Sequence, residues 1–431
     1  MSSFPLKSLT FILLERHKYL GCVIKMSVSR EFVKRKFSEY YKKDYVAIHV
    51  PSIIEQREFG FLTFDGKTML RHISFKTKES LESFLRREVY ADAYFSCAYY
   101  ENPEADMEMK SWLGADLIFD IDADHIPTSC DKIHDEWRCG NCGFTGKGVI
   151  PEKCPVCSSV KFDVNTWPCE DCLASAKFET VKLVEMLMQD FGFSESEIHT
   201  FFSGHRGYHV HVESDAVKTL GAMERKEIVD YVTALGLNVE SNILTEKFSQ
   251  KMVMLDFGWT KRLKVGIEDF IANAKEKDFL GMGLEKRFIG VIMRNRDVIL
   301  KNLQRTGTFG YVKGIGPQTW TKIIRHVVKL KSASIDTVVT TDTHRLIRLA
   351  DTLNSKTGFK KVEFPVSAID DFDPFKMAVA FKGGFVDVKV YDSPRFRIGE
   401  ETFGPYKNQR VELPTAAAVL LICKNRAEVV A

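Results

Sequence analysis

The chain of 431 residues contains no apolar run near the roughly 20 residues needed to cross a bilayer as a helix, so it is not an integral membrane protein of the helical kind. It also carries little net charge: 61 Lys and Arg against 58 Asp and Glu leave +3. That balance neither demands nor excludes a nucleic-acid partner, and any basic surface must be local. Repeats and low-complexity tracts are missing too. With 45% hydrophobic and 28% charged residues the chain is neither disordered nor fibrous, and its length suits two or three domains. No secretory signal precedes its cysteines.

Six of the ten cysteines form three Cys-x-x-Cys pairs inside 139–172. That is metal-ligand spacing in a reducing compartment, so the expected location is intracellular: cytoplasmic, or nuclear in a eukaryote. Residues 1–25 read as an extension, disordered or a mis-called start, because Met26 opens a segment that looks like a fresh beginning; a targeting role is the weaker reading.

Along the chain, a basic amphipathic helix is expected over 29–41, a hairpin over 58–75 with its turn at Asp65-Gly66, and a helix over 79–90. Residues 115–122 alternate with period two, placing Leu117, Phe119 and Ile121 on one face and Asp116, Ile118, Asp120 and Asp122 on the other. A cysteine-rich insert covers 130–172. A helix follows at 173–191, with Phe178, Val181, Val184, Glu185 and Met188 at helical spacing. Residues 201–212 read as strand, Gly-rich turn, strand. Residues 222–330 are mainly helical, strands return at 361–366 and 377–391, and an apolar helix closes the chain at 414–423.

Two motifs carry chemistry. Asp120 and Asp122 leave the same face of one strand and can share hard divalent ions, the core of a two-metal nucleotidyl-transfer site. A solvent-facing strand edge can carry the same pattern, and Asp116 and Asp124 share the face. In SGHRGYHVHV (203–212), Gly204 and Gly207 let the backbone approach an anion while Arg206 offers a fork matched to phosphate. An ordinary hairpin, with His209 as a satisfied core histidine, accounts for that segment equally well.

Taken together, LIFDIDADH (117–125), the cysteine segment, FSGHRGYHVHV (202–212) and IDTVVTTDTHRLIRL (335–349) resemble the catalytic small subunit of archaeo-eukaryotic DNA primase. REFGF (57–61), RHISF (71–75) and ELPTAAAVLLIC (412–423) are similar to that family's terminal signatures, so the resemblance covers about 26–425. It implies an α/β primase-type catalytic fold with an RRM-like mixed sheet, a helical subdomain and an inserted zinc-binding segment. The catalytic domain would then span 26–129, 173–221 and 334–431, interrupted by the insert at 130–172 and the helical subdomain at 222–333. Asp120, Asp122 and Asp336 match the carboxylates that bind two Mg²⁺ or Mn²⁺ ions, with Asp342 the local rival of Asp336. Ser203, His205, Arg206, His209, Arg348, Asn354 and Arg57 match nucleotide-binding positions. Two departures stand out: His205 replaces a second Arg found in some members, and Asn354 replaces a His, which removes charge from the triphosphate contacts.

The cysteine pairs run with equal spacing on either side of Cys154 and Cys157, so arithmetic alone cannot group them. The family's zinc knuckle ends in a Cys-x-x-Cys that opens the next helix. The resemblance therefore implies an outer site of Cys130, His134, Cys169 and Cys172 around an inner one of Cys139, Cys142, Cys154 and Cys157. One or two structural Zn²⁺ are expected, with an iron–sulfur cluster the rival occupant of one site. Cys22, Cys97 and Cys423 read as plain thiols.

Between 294 and 335, nine basic residues face one acid, Asp297, enough to neutralise template phosphates or simply to form a solvated helical face. GIGPQTWTKII (314–324) there also looks like a helix-hairpin-helix turn. The expected function is primer synthesis on single-stranded DNA from nucleoside triphosphates, with a large subunit as partner and no membrane. The alternatives are a primase-like polymerase for end joining or gap filling and, more distantly, a noncatalytic zinc-ribbon nucleic-acid-binding protein.

Overall fold

The computed structural model describes residues 28–43, 47–237, 257–306 and 312–430. The expected extension at 1–25, with Cys22, lies outside them. The described chain is a mixed α/β protein in which no helix is long and apolar enough to cross a membrane.

Two four-stranded sheets organise it, and every strand pair in both is antiparallel, unlike the mixed sheet expected. In the first, Leu346–Arg348, Asp92–Ser96, Phe59–Leu62 and Met69–Ile73 lie in that order. The second runs Val362–Phe364, Ile198–Phe202, Gly207–Val212 and Leu117–Asp122. The segment 346–364 gives one strand to each sheet, so the two share one stretch of chain. Alternation works as read: Leu117, Phe119 and Ile121 are fully buried, while Asp120 and Asp122 stand on the half-open face. The Asp65 carboxylate accepts from the amides of Lys67 and Thr68 and closes the expected hairpin turn, with Gly66 at φ +71°.

The helix Glu170–Gln189 packs on the strands Gly207–Val212 and Leu117–Asp122. It starts three residues before the expected point because the Cys169 sulfur caps it, accepting from the Cys172 amide at 3.3 Å. Its buried stripe is Leu173, Ala176, Leu183 and Leu187, whereas Phe178 is exposed. The expected strand 377–391 begins only at Phe385. Asp373 caps a short helix at Pro374–Met377, and Gly383 and Gly384 turn the chain at φ +80° and +76°. Phe385–Ser393 then pairs with Tyr406–Pro414 and Ala427–Val429, under the apolar helix Thr415–Cys423. The cysteine-rich insert carries its own three-stranded ribbon of Glu136–Cys139, Thr145–Lys147 and Phe162–Asn165. Helices from Gly258 to Lys331 form the expected helical region.

Candidate active site

The antiparallel register places Gly207 opposite Asp122 and His209 opposite Asp120, so the Gly-rich turn and the Asp-x-Asp strand meet at one sheet end. A Cβ on Gly207 would lie 2.1 Å from the Ile121 carbonyl oxygen; only glycine permits this approach. Asp336 joins them from a distant segment. Its amide donates to the Asp120 carbonyl at 2.8 Å, and its carboxylate caps the short helix Thr337–Thr341 by accepting from the Val338 amide. A cavity of about 270 Å³ opens beside Asp122 and Asp336, bordered by His125 and Thr233. Burial, then the like charges of Asp122 and Asp336, push the Asp120 carboxyl up to about 7. The charges of Asp122 and Asp336 thus both act on Asp120, and an all-oxygen donor set of this kind is the type that hard divalent ions take.

The other acids on this face are accounted for. Asp116 is buried against Arg57 at 2.7 Å and accepts from the Tyr99 hydroxyl at 2.6 Å. Asp124 pairs with Arg206 at 2.8 Å. Asp342 accepts from the His344 amide, and its charge acts on Cys97 and Tyr100.

The turn is held internally. The Ser203 hydroxyl oxygen accepts from the amides of His205 and Gly207 at 3.3 Å each, and Gly204 has φ +81°. The Thr357 hydroxyl donates to the Gly204 carbonyl, and the Asn354 side-chain amide reaches the Ser203 carbonyl at 3.4 Å. Asn354 also closes its own turn, its side-chain oxygen accepting from the Lys356 amide at 2.9 Å. His209 Nε2 lies 3.5 Å from Asp120. Burial, helped by Lys361, Arg348 and Arg345, holds its imidazole well below the ordinary range, so it is neutral.

Both expected phosphate-binding arginines already have carboxylate partners. Arg206 is fully buried, its Nη1 2.6–2.7 Å from both Asp135 oxygens. Arg348 pairs with Asp92 and lies over the Tyr94 ring. Arg57 stands apart: it donates to Ser52, Ser96 and Cys97, and none of these bonds reaches the 203–209 turn.

Two Cys/His groups gather, each with ligand atoms within 4.8 Å of one another: Cys130, His134, Cys169 and Cys172, linked to the turn through Asp135 and Arg206, and Cys139, Cys142, Cys154 and Cys157. Sulfur separations of 3.5–3.7 Å match the roughly 3.8 Å edge of a tetrahedron with 2.3 Å metal–sulfur bonds, so either group could hold zinc. His134 Nδ1 contacts Asp135 at 2.8 Å, leaving Nε2 turned to the sulfurs.

Three residues of this neighbourhood escaped the sequence reading. Asp135 bridges His134, the Trp167 amide and Arg206. Lys361, fully buried, donates to the Arg348 carbonyl at 2.9 Å and exerts its charge on Asp120. Lys424 donates to His205 from the far end of the chain. Only Asp135 had a local signal, its place beside a ligand-type histidine.

The profile of the family described as DNA primase small subunit matches residues 163–366. The chain is similar to DNA primase small subunit PriS of Nitrosopumilus maritimus, 32% identical over 399 residues, covering 93% of this chain and 98% of that one. The PriS of Archaeoglobus fulgidus is 34% identical over 408 residues, with 93% and 98% covered. That of Cenarchaeum symbiosum is 31% identical over 397 residues, with 91% and 96% covered. The chain belongs to the DNA primase small subunit family: it is a primase catalytic subunit, a nucleotidyltransferase.

Proposed function

We propose that Asp120, Asp122 and Asp336 hold two Mg²⁺ or Mn²⁺ ions and that the chain joins nucleotides on a single-stranded DNA template. The observation that carries this reading is the meeting of three carboxylates from two distant segments beside a glycine-built turn, with Asp120 pushed up to about 7. Bound there, the ions would lower the pKa of the attacking 3′-hydroxyl and offset charge developing at the α-phosphate. The protein's own part is positional. Ser203, His205, Arg206, His209, Arg348 and Asn354 receive the triphosphate around the turn, and neutral His209 orients Asp120 without competing for its charge. Arg57 serves the nucleotide side through the first sheet, where it anchors Asp116. The four-stranded sheet ending in Asp122 is the RRM-like sheet of a primase-type fold, interrupted by the insert at 130–172 and the helical subdomain at 222–333.

The two Cys/His groups suit structural zinc, since four protein ligands leave no position for water. Template phosphates find exposed cations at Arg294, Lys301, Arg305, Lys313, Lys322, Arg325 and Lys329. A large primase subunit completes an intracellular heterodimer. The test is to give the purified chain unprimed single-stranded DNA and nucleoside triphosphates, with and without a large subunit. De novo primers support the reading; extension of supplied ends alone, under every condition, would replace it with end-joining or gap-filling polymerisation.

A further inference from the structure

We propose that Lys424 is a phosphate-binding residue of the nucleotide site, supplying with Lys356 the positive charge that the 203–209 turn lacks. This rests on the reading of that turn as the triphosphate site.

The charge on the turn is largely cancelled within the fold. Arg206 faces Asp135 and Asp124, and Arg348 faces Asp92. His205 is buried and neutral, its imidazole held well below the ordinary range by burial and then by Lys424, Lys356, Arg206 and Arg348. Four cations therefore surround one uncharged ring, and two of them, the arginines, already have carboxylate partners. Lys424 has none. It is 3% exposed, its Nζ donates to His205 Nε2 at 2.7 Å, and among the described residues it forms no ion pair. A buried ammonium with no carboxylate in direct contact is unfavourable, and sites that receive anions are where folds keep one.

The position does not explain it otherwise. Lys424 ends the helix Thr415–Cys423, where a cation can satisfy terminal carbonyls. Yet its side chain turns to His205, while its own carbonyl is taken by Asn165 at 2.7 Å. Burial first, then the charges of Lys356 and Arg206, bring its pKa down to about 7 against the opposing pull of Cys423 and Asp135. Lys356, exposed at the rim of the 354–358 turn, lies close enough to repel both Lys424 and His205. The two lysines thus restore the charge missing at His205 and Asn354.

The experiment compares wild type, Lys424→Met and Lys424→Arg for binding of inorganic tripolyphosphate without added divalent ions, by calorimetry, alongside unliganded melting temperature. Losing one charge-assisted contact should weaken Lys424→Met binding about 10-fold. Its unliganded melting temperature should hold or rise, because a buried unpaired charge is gone. Lys424→Arg should retain affinity and stays informative if the Met variant fails to fold. In primer extension, Lys424→Met should raise the nucleotide KM far more than it lowers kcat. Wild-type affinity in Lys424→Met, or equal loss in both variants together with a lowered melting temperature, would make Lys424 structural and overturn the inference. If wild type itself does not bind tripolyphosphate, the triphosphate reading of the turn falls and takes the inference with it.

Discussion

Asp135→Ala should be among the most damaging single changes outside the proposed ligands themselves. The Asp135 carboxylate accepts from Arg206 Nη1 at 2.6–2.7 Å, faces His134 Nδ1 at 2.8 Å and accepts from the Trp167 amide at 2.8 Å, all with little exposure to water. Its removal leaves Arg206, fully buried, with Asp124 as its remaining carboxylate among the described residues, beside the Trp167 carbonyl at 3.4 Å. Breaking a buried pair by deleting one partner costs about 3–5 kcal/mol, because the remaining charge keeps its desolvation penalty. With a urea m-value of about 3 kcal/mol/M, the midpoint should fall by roughly 1–1.7 M. Asp135→Asn keeps the volume and an acceptor for Trp167 and should cost about 1.5–3 kcal/mol. Adding Arg206→Met to Asp135→Ala removes the orphaned charge and should recover part of the loss, so the two changes should be strongly non-additive. Urea unfolding reads the stabilities and metal analysis reads the neighbouring Cys/His group. A midpoint within experimental error of wild type in Asp135→Ala, or a double variant no better than additive, would refute this reasoning.

The two Cys/His groups share no ligand, so Cys169→Ser should lower bound zinc from two ions to one and loosen the start of the Glu170–Gln189 helix, while Cys154→Ser should leave the outer group intact. Metal analysis with hydrogen exchange checks both. Gly207→Ala places a Cβ against the Ile121 carbonyl and should cost about 1–3 kcal/mol and displace Asp122, abolishing nucleotide addition, whereas Gly281→Ala, with open space around it, should fold like wild type. Chemical unfolding and primer extension separate the two. The isolated chain should extend primers well and initiate poorly; equal initiation with and without a co-purified large subunit would count against the heterodimer.

Strand alternation made Asp120 and Asp122 legible, because one face of Leu117–Asp122 must be apolar and the other could then carry acids. The glycines of 203–207 were legible because close backbone approach leaves few other residues. Asp336 could be found only through the family resemblance: it is an ordinary helix cap in sequence, and tertiary packing alone brings its amide to Asp120. Packing also hid the neutralisation of Arg206 and Arg348, since Asp135 and Asp92 lie 71 and 256 residues away. The strand Tyr406–Pro414 passed unnoticed because YKNQRVELP keeps most of its side chains in water and shows little apolar alternation. Lys361 and Lys424 look like surface lysines in sequence; their burial is a property of the assembled sheets.

The central claim is that Asp120, Asp122 and Asp336 act together on the ions that drive nucleotide addition. It is tested most directly by primer synthesis with Asp120→Asn, Asp122→Asn, Asp336→Asn and the Asp120→Ala/Asp122→Ala double variant. Each is first shown to be folded and to hold its zinc. The account predicts that every variant binds DNA as wild type does and loses nucleotide addition at any Mg²⁺ or Mn²⁺ concentration. A folded double variant that still makes primers would contradict it.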